Sequence, residues 1–521
     1  MSSFNTAQWL VDRHVDSGRG QRVAIRCQGR TTTYAELQAE IWRAQALLSS
    51  LNVSAGDRVA LVLQDDETFP ALFLGAQRSG IVPVAISTML KGPEIAAIVA
   101  DSGAETLAIS STFAAAIPDV LSGAPVVRRV IVSGDTEFGS APAGMTHAWA
   151  DAPPAGEMPL AETTADSPAF WLYSSGTTGV PKGVMHRHGN VPATVETYAK
   201  GVLEITEDDR FLSIAKLFFA YGLGNSLTFP FAVGATAILE PAAPTPQGMV
   251  DLITSEQPTL FFASPGFAAA VLDIDPDPNV FAPLRATVTA GESLPANVQT
   301  RFSVLTERPV LDGIGSTELL HIFISNTLEA QTPGSSGSLV PGYEAQLRDD
   351  NDNVIDDPDT AGFLHVRGPS AALGYWQRPD ETAAAFHDGW VRAGDVYTRS
   401  IDGYWTFLGR NNDMIKAGGI WVSPAEVESV LIEHADVLEA AVVGSRDQTG
   451  LETAVAFVVP ASGATPDSGA LDQHCRDRMA AFKRPRVIHV VEELPKTATG
   501  KIKRYQLRES VRGESASSPT P

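Results

Sequence analysis

Residues 173–183 read YSSGTTGVPKG, a run in which Ser174, Ser175, Thr177 and Thr178 bring hydroxyls, Gly176 and Gly179 bring backbone freedom, and Lys182 brings a positive charge. Glycine permits positive φ and close backbone approach, so successive N–H groups can converge on one anion. With hydroxyl donors and a lysine added, the run reads as a phosphate cradle. It is not the common nucleotide-binding loop, GxxxxGK(S/T), which opens a helix. Here the spacing is GTTGVPKG, Gly183 stands where a Mg2+-ligating hydroxyl belongs, and Pro181 blocks the start of a helix. A kinase or NTPase of that type is disfavoured.

The elements around the cradle read as α/β. AFWLY (169–173) is an apolar strand leading into it. RVAIRC (22–27), DRVALVLQ (57–64), IVPVAIS, ETLAIS, RVIVSG, ATAILE, TLFFAS and ATVTAG are further apolar runs bounded by Gly, Pro and Ser. With helices between them, they predict buried sheets of parallel type. One helix is signalled by a capping box, Thr33 with Glu36, followed by Leu37, Ile41, Ala44 and Leu48 on one face. Another reads FPALFLGAQRSG and stops at Gly80. After about residue 340, GFLHVRG, GWVRAGDVYTRS and GYWTFLGR predict a small antiparallel, barrel-like part. The polar, glycine-rich break RNNDMIKAGG then separates a smaller α+β unit: SPAEVESVLIEH (helix), LEAAVVGS and TAVAFVVP (strands), a helix near CRDRMAAF, and the strand RVIHVVEEL. The expected organisation is a large domain over 1–411, a small mobile C-terminal domain over 412–512, and a disordered tail over 513–521, with no internal repeat.

Bulk properties narrow the partners. The chain has 521 residues and a formal net charge of −23, which disfavours nucleic acid or an anionic membrane as the main partner. Within this acidic chain, residues 476–512 hold eleven Lys/Arg against four Asp/Glu. That cluster reads either as a solvated face or as a site for a polyanionic small molecule. The two cysteines, Cys27 and Cys475, support neither a disulfide framework nor a zinc site. The N-terminus lacks an apolar signal core, and no run of about 18 apolar residues occurs, so a cytoplasmic protein without membrane insertion is expected.

The loop resembles the phosphate-binding signature of the adenylate-forming superfamily, which includes acyl-CoA synthetases, adenylation domains and beetle luciferase. Five more runs agree with that family in its order, over about residues 20 to 510. TAGESLP (289–295) resembles the loop beside adenine, carried by Gly291, Glu292 and Ser293. DGIGSTE (312–318) resembles the next motif, with Asp312, Gly313 and Ile314 near the base, Thr317 on the α-phosphate and Glu318 on Mg2+. Asp395 of GWVRAGD and Arg410 of GRNNDMIKAGG match the ribose contacts, and Asn412 falls at the interdomain hinge, where the family carries Asp or Lys. PKTATGKIKR resembles the C-terminal signature, with Lys501 as catalytic lysine.

The resemblance implies two half-reactions. A carboxylate attacks the α-phosphorus of ATP to give an acyl adenylate and pyrophosphate; a thiol then expels AMP. Positioning and charge neutralisation dominate the first half. It also implies that the small domain swings, removing Lys501 and bringing Gly418, Gly419 and Trp421 to a tunnel for the pantetheine arm of coenzyme A. The basic run 476–512 rides on this small domain, and part of it, tested at Arg484 and Arg486, is expected either to meet the 3′-phosphate end of CoA or to dock on the acidic large domain. KLFFAYGLGN (216–225) closely resembles benzoate–CoA ligases, with Lys216 for the usual proline and Phe219 for the usual histidine. By that match Phe219, Ala220 and Tyr221 line the acid pocket with Phe229, Gly315 and Ile322, and Thr327 is a candidate for reading a ring substituent. Flat, bulky side chains favour a short pocket for an aromatic ring. The expected protein is an aryl-CoA ligase using ATP, Mg2+ and CoA, as a monomer or homodimer. Open alternatives are a stand-alone enzyme loading a carrier protein, a CoA ligase for cinnamate or a fatty acid, a catalytically silent nucleotide-binding protein, and a luciferase-like oxygenase.

Overall fold

The structure, a computed structural model, describes residues 3–134, 144–175, 181–410, 413–417, 420–446, 452–496 and 502–517. Among these residues, the strands before Val340 form two sheets with parallel cores. A seven-stranded sheet runs Thr146–Ala148, Arg129–Ser133, Thr106–Ser110, Arg58–Val62, Val82–Ala85, Pro168–Ser175, Pro181–Arg187. Every neighbouring pair is parallel except the last. A nine-stranded sheet has a parallel centre, Val310–Gly315, Ala286–Ala290, Leu260–Ala263, Arg210–Ser213, Thr236–Leu239, Val23–Cys27, and antiparallel strands at both edges. These strands are the apolar runs of the sequence, and they are apolar because both faces are covered: all four residues of Val82–Ala85 and of Leu260–Ala263 are buried.

The capping box forms as expected: Glu36 N donates to Thr33 Oγ1 (3.2 Å) and Thr33 N to Glu36 Oε2 (2.7 Å), starting the helix Tyr34–Ser50. Its inward face packs with Phe69, Phe73 and Phe170 into the largest core cluster. The helix read from FPALFLGAQRSG spans Thr68–Arg78.

The antiparallel part is a six-stranded sheet from Glu344–Arg348 to Trp405–Arg410. Past it, Val437–Arg446 pairs antiparallel with Glu452–Pro460, and Val487–Val490 adds in parallel. The strand pair buries both faces: Val442, Ala456 and Val458 meet one cluster, Val443, Val455 and Phe457 another. Two elements differ from expectation. The helix near CRDRMAAF spans Ser468–Arg478 instead, because Asp467 caps it (Ala470 N donates, 2.9 Å), its apolar residues Leu471 and Cys475 face inward, and Met479 is already extended. The last helix runs Arg504–Ser517 and so includes residues placed in the tail. The expected boundary at 411/412, and the hinge residue Asn412, lie outside the described residues.

Candidate active site

The phosphate cradle is the tip of a hairpin. Pro168–Ser175 leads out at the carboxyl end of the parallel sheet and Pro181–Arg187 leads back, with Ser174 paired to Lys182 and Ser175 to Pro181. A strand, not a helix, follows the loop, in keeping with the block at Pro181. Gly176, Thr177, Thr178 and Gly179 lie outside the described residues. Lys182 is mostly buried; its Nζ pairs with the Glu381 carboxylate and lies 5.2 Å from the centre of the Tyr375 ring. The return strand is tied to the second motif by His186, whose Nε2 meets the Thr317 carbonyl at 2.8 Å. Burial lowers this imidazole to about 4, so it is neutral, and since a carbonyl only accepts, Nε2 carries the hydrogen.

DGIGSTE ends the strand Val310–Gly315 and enters a short turn, Thr317–Leu319. Asp312 is buried beside Thr289, whose hydroxyl donates to Oδ1 (3.1 Å); burial pushes its carboxyl up to about 8. Gly315 is required by the chain folded back against it, and Gly313 is closely packed, with Ile322 and the Ile324 carbonyl 3.0–3.2 Å from where a Cβ would stand. A Cβ on Gly315 would stand 2.5 Å from the His321 carbonyl oxygen. Glu318 Oε1 accepts from the Tyr375 hydroxyl (2.9 Å). The direction then reverses at Leu320, a non-glycine residue with φ +66° and ψ −38°, where His321 N donates to the Leu319 carbonyl (2.8 Å). This is a γ-turn of the rare, strained hand.

Beyond the turn lies an aromatic cluster, with Tyr198, Phe229 and His321 buried and Tyr221 partly covered. His321 sits 4.4 Å from Phe229, 5.4 Å from Tyr198 and 5.5 Å from Tyr221, centre to centre. Its Nε2 donates to Asn225 Oδ1 (3.2 Å), and burial lowers it to about 3, so it too is neutral. Tyr221 anchors its hydroxyl on the Val288 carbonyl (3.1 Å). KLFFAYGLGN divides as it folds: Leu217 and Phe218 are core, whereas Phe219, Ala220 and Tyr221 are only partly covered. Ile322 is buried and Ile314 partly so, both against this core. Thr327 is not drawn into the cluster; its hydroxyl accepts from Ala330 N (3.1 Å) in a local turn. Lys216 is held by the carbonyls of Glu240 and Ala242, and Leu217 N donates to both oxygens of Asp65 (3.2 Å each).

The two ribose candidates meet across one rung of the antiparallel sheet: Asp395 faces Arg410, and Arg410 Nε lies 3.0 Å from Asp395 Oδ1. Gly291, Glu292 and Ser293 follow the strand Ala286–Ala290 at its carboxyl end, the edge where open parallel sheets bind ligands. Lys501, Gly418 and Gly419 lie outside the described residues. Trp421 is in the two-stranded ribbon Ile415–Ala417/Ile420–Val422, and the chain flanking Lys501 is joined by an antiparallel bridge of Lys496 with Ile502. The basic run is largely spent on internal pairs: Arg476–Asp472, Arg478–Glu433, Lys483–Glu426, Lys496–Glu439, Arg504–Glu428 and Arg508–Asp413. Arg484 and Arg486 form no ion pair among the described residues.

His321, Tyr375, Glu381 and Asp65 were not singled out from sequence. His321 had a local signal, as a polar residue just past the DGIGSTE run; Tyr375, Glu381 and Asp65 act only through distant partners.

Residues 11–376 match the model of the AMP-binding enzyme family, and residues 426–501 match its C-terminal domain. The chain belongs to the AMP-binding enzyme family. Among relatives in that family, a benzoate–CoA ligase of Thauera aromatica is 41% identical over 97% of this chain and 96% of its own length. A 4-hydroxybenzoate–CoA/benzoate–CoA ligase of Rhodopseudomonas palustris is 40% identical over 98% and 95%. Of solved AMP-binding enzymes, the anthranilate CoA ligase AuaEII in complex with anthranoyl-AMP superposes with a TM-score of 0.93 at 35% identity, covering 99% of this chain and 98% of that one. The mixed α/β architecture read from sequence is thus that of the family. No described helix is long and apolar enough to cross a membrane.

Proposed function

We propose that this chain joins an aromatic carboxylic acid of the benzoate type to coenzyme A. A carboxylate oxygen bonds to the α-phosphorus of ATP and the bond to pyrophosphate breaks. The thiol sulfur of CoA then bonds to the acyl carbon, and the acyl–phosphate oxygen bond breaks to release AMP. The observation that carries the aromatic reading is the cluster of Tyr198, Tyr221, Phe229 and His321. Its partly covered member Tyr221, with the adjoining Phe219, would stack on a ring, and the neutral His321 behind them would leave no charge opposite it. The cluster begins just past Glu318 and Thr317, so a ring held there would point its carboxylate toward the α-phosphate. The names of the relatives support the same class of acid and thiol.

In this reading the hairpin hydroxyls and Lys182 hold the β- and γ-phosphates, and Asp395 with Arg410 holds the ribose. Lys501, on a small domain that begins at about residue 412 and turns at Asn412, orients the carboxylate. Gly418, Gly419 and Trp421 line the thiol's path after that domain turns. A single carboxylate fits Mg2+, which keeps several waters and takes the rest of its ligands from phosphate oxygens. Glu318 is such a group; the neutral Tyr375 phenol donates to one of its oxygens, and the charge of Arg410 is near enough to be felt. When bound, Mg2+ would offset phosphate charge. A cytoplasmic setting fits two cysteines that are both free and buried.

Pyrophosphate release tests the reading, measured with benzoate, hydroxy- and aminobenzoates, cinnamates and fatty acids, with and without CoA. Benzoate-type acids should lead by an order of magnitude or more, with an aryl-CoA product. A preference for long-chain fatty acids would overturn the acid assignment, and adenylate that transfers to a carrier protein but not to CoA would overturn the acceptor.

A further inference from the structure

The stretch Leu373–Glu381, outside the six runs quoted above, ties the phosphate hairpin to Glu318. Leu373 N donates to the Met185 carbonyl (2.8 Å), Met185 N to that of Gly374 (3.0 Å), and Trp376 N to that of Gly183 (2.8 Å). Its first half therefore lies along the return strand, with an isolated antiparallel bridge of Val184 with Tyr375. At its near end, Ala372 N donates to the Glu318 carbonyl (2.8 Å). At its far end, Arg378 is fastened to Asp101 (2.7 Å), which also accepts from the Tyr173 hydroxyl (2.7 Å). Tyr173 is on the outgoing strand of the same hairpin. Pinned on both sides, the first turn of the helix Pro379–Ala385 holds the Glu381 carboxylate against Lys182.

A lysine with a side chain only 14% exposed needs a counter-charge whenever nucleotide is absent. Glu381 supplies it, and Arg378 lies 3.9 Å from the other Glu381 oxygen. We propose that Glu381 is the resting counter-ion of Lys182, which MgATP displaces on binding and which reclaims the lysine as pyrophosphate departs. The proposal rests on the reading of Lys182 as a phosphate-holding residue. A carboxylate carries one negative charge and the polyphosphate several, so the exchange favours nucleotide while the competition lowers its affinity. AMP has no β- or γ-phosphate and does not take part. The pair thus weakens ATP and pyrophosphate selectively and works against rebinding of pyrophosphate after the adenylate forms.

The test uses the full chain without acid, titrated calorimetrically with MgATP and separately with AMP. Glu381→Gln should tighten MgATP about two- to five-fold, the range of a partly exposed ion pair, and leave AMP unchanged. The Lys182→Ala/Glu381→Gln double variant should bind MgATP no better than Lys182→Ala. Glu381→Asp, which keeps the charge but shortens the reach, should shift MgATP in the same direction and serves if the glutamine variant does not fold. Unchanged or weaker MgATP binding in both Glu381 variants, or an equal change for AMP, would overturn the proposal. If Lys182→Ala leaves MgATP affinity intact, the phosphate role of Lys182 fails as well; if it weakens MgATP while Glu381→Gln does nothing, only the counter-ion role fails.

Discussion

Adding one methyl group to the cluster floor should close the acid pocket. A Cβ on Gly224 would stand 2.3 Å from His321 Cδ2 and 2.6 Å from Nε2, where carbon contacts rest near about 3.5–4.0 Å. The overlap exceeds an ångström, and the imidazole cannot easily retreat. Phe229 blocks one side at 4.4 Å, Tyr198 another at 5.4 Å, and Asn225 holds Nε2 at 3.2 Å. Tyr221 stands at 5.5 Å on the remaining side and is the least covered of these rings, so a displaced imidazole would press on the ring nearest the proposed berth. Overpacking of this kind costs about 1–3 kcal/mol. If that cost falls on substrate binding, Gly224→Ala lowers kcat/KM for benzoate by about 5- to 150-fold. Backbone preference works the other way, since alanine is favoured over glycine in a helix by about 1 kcal/mol, so a loss must come from the clash. The assay is pyrophosphate release at saturating ATP against varied benzoate, with the KM for ATP at saturating acid as control. An unchanged kcat/KM for benzoate refutes the packing. A matching rise in the KM for ATP refutes the assignment of the cluster to the acid.

Other outcomes follow from single groups. Burial lifts Asp65 to about 7 from its ordinary 3.8, so between these values the native state holds a proton the unfolded chain has lost. Its stabilising contribution is complete below about pH 4 and is lost as pH rises through 7, up to about 4 kcal/mol. Asp65→Asn should therefore raise the melting temperature at pH 8 and flatten its pH dependence; a lower melting temperature at pH 8 would count against a buried carboxylate. Lys501→Ala should abolish adenylation by a hundredfold or more yet spare CoA transfer from supplied benzoyl-AMP, and equal loss of both halves would refute the two-position domain. Charge reversal at Arg484 and Arg486 should raise the KM for CoA several-fold and leave adenylation unchanged; unaltered CoA kinetics would remove these arginines from the CoA site.

What could be read in advance had a local cause. The sheets were legible because strands covered on both faces must be apolar throughout, as in Leu260–Ala263. The hairpin's strands were legible from the apolar run AFWLY and from the block that Pro181 puts on a helix, whereas the crowding at Gly315 arises only once the chain folds back on it. Asp395 and Arg410 were read separately as ribose contacts, and the register makes them one pair. The residues overlooked gain their meaning from partners far off in sequence. Glu381 is an ordinary acid in a helix first turn until the fold lays it on Lys182, and Asp65 is one of two adjacent aspartates until Leu217 reaches it. Thr327 shows the opposite case: its hydroxyl accepts from Ala330 N three residues away, a local turn that polarity alone does not reveal.

The strained turn at Leu320 bears on how such an enzyme diversifies. Glu318 stands on one side of it and His321 on the other, and the reversal between them costs about 1–3 kcal/mol that neighbouring contacts must sustain. In the proposed reading, Glu318 and the ring's berth stand on opposite sides of this one turn, so changes at Gly224, His321 or Ile322 would alter the berth without replacing the residue that meets the metal.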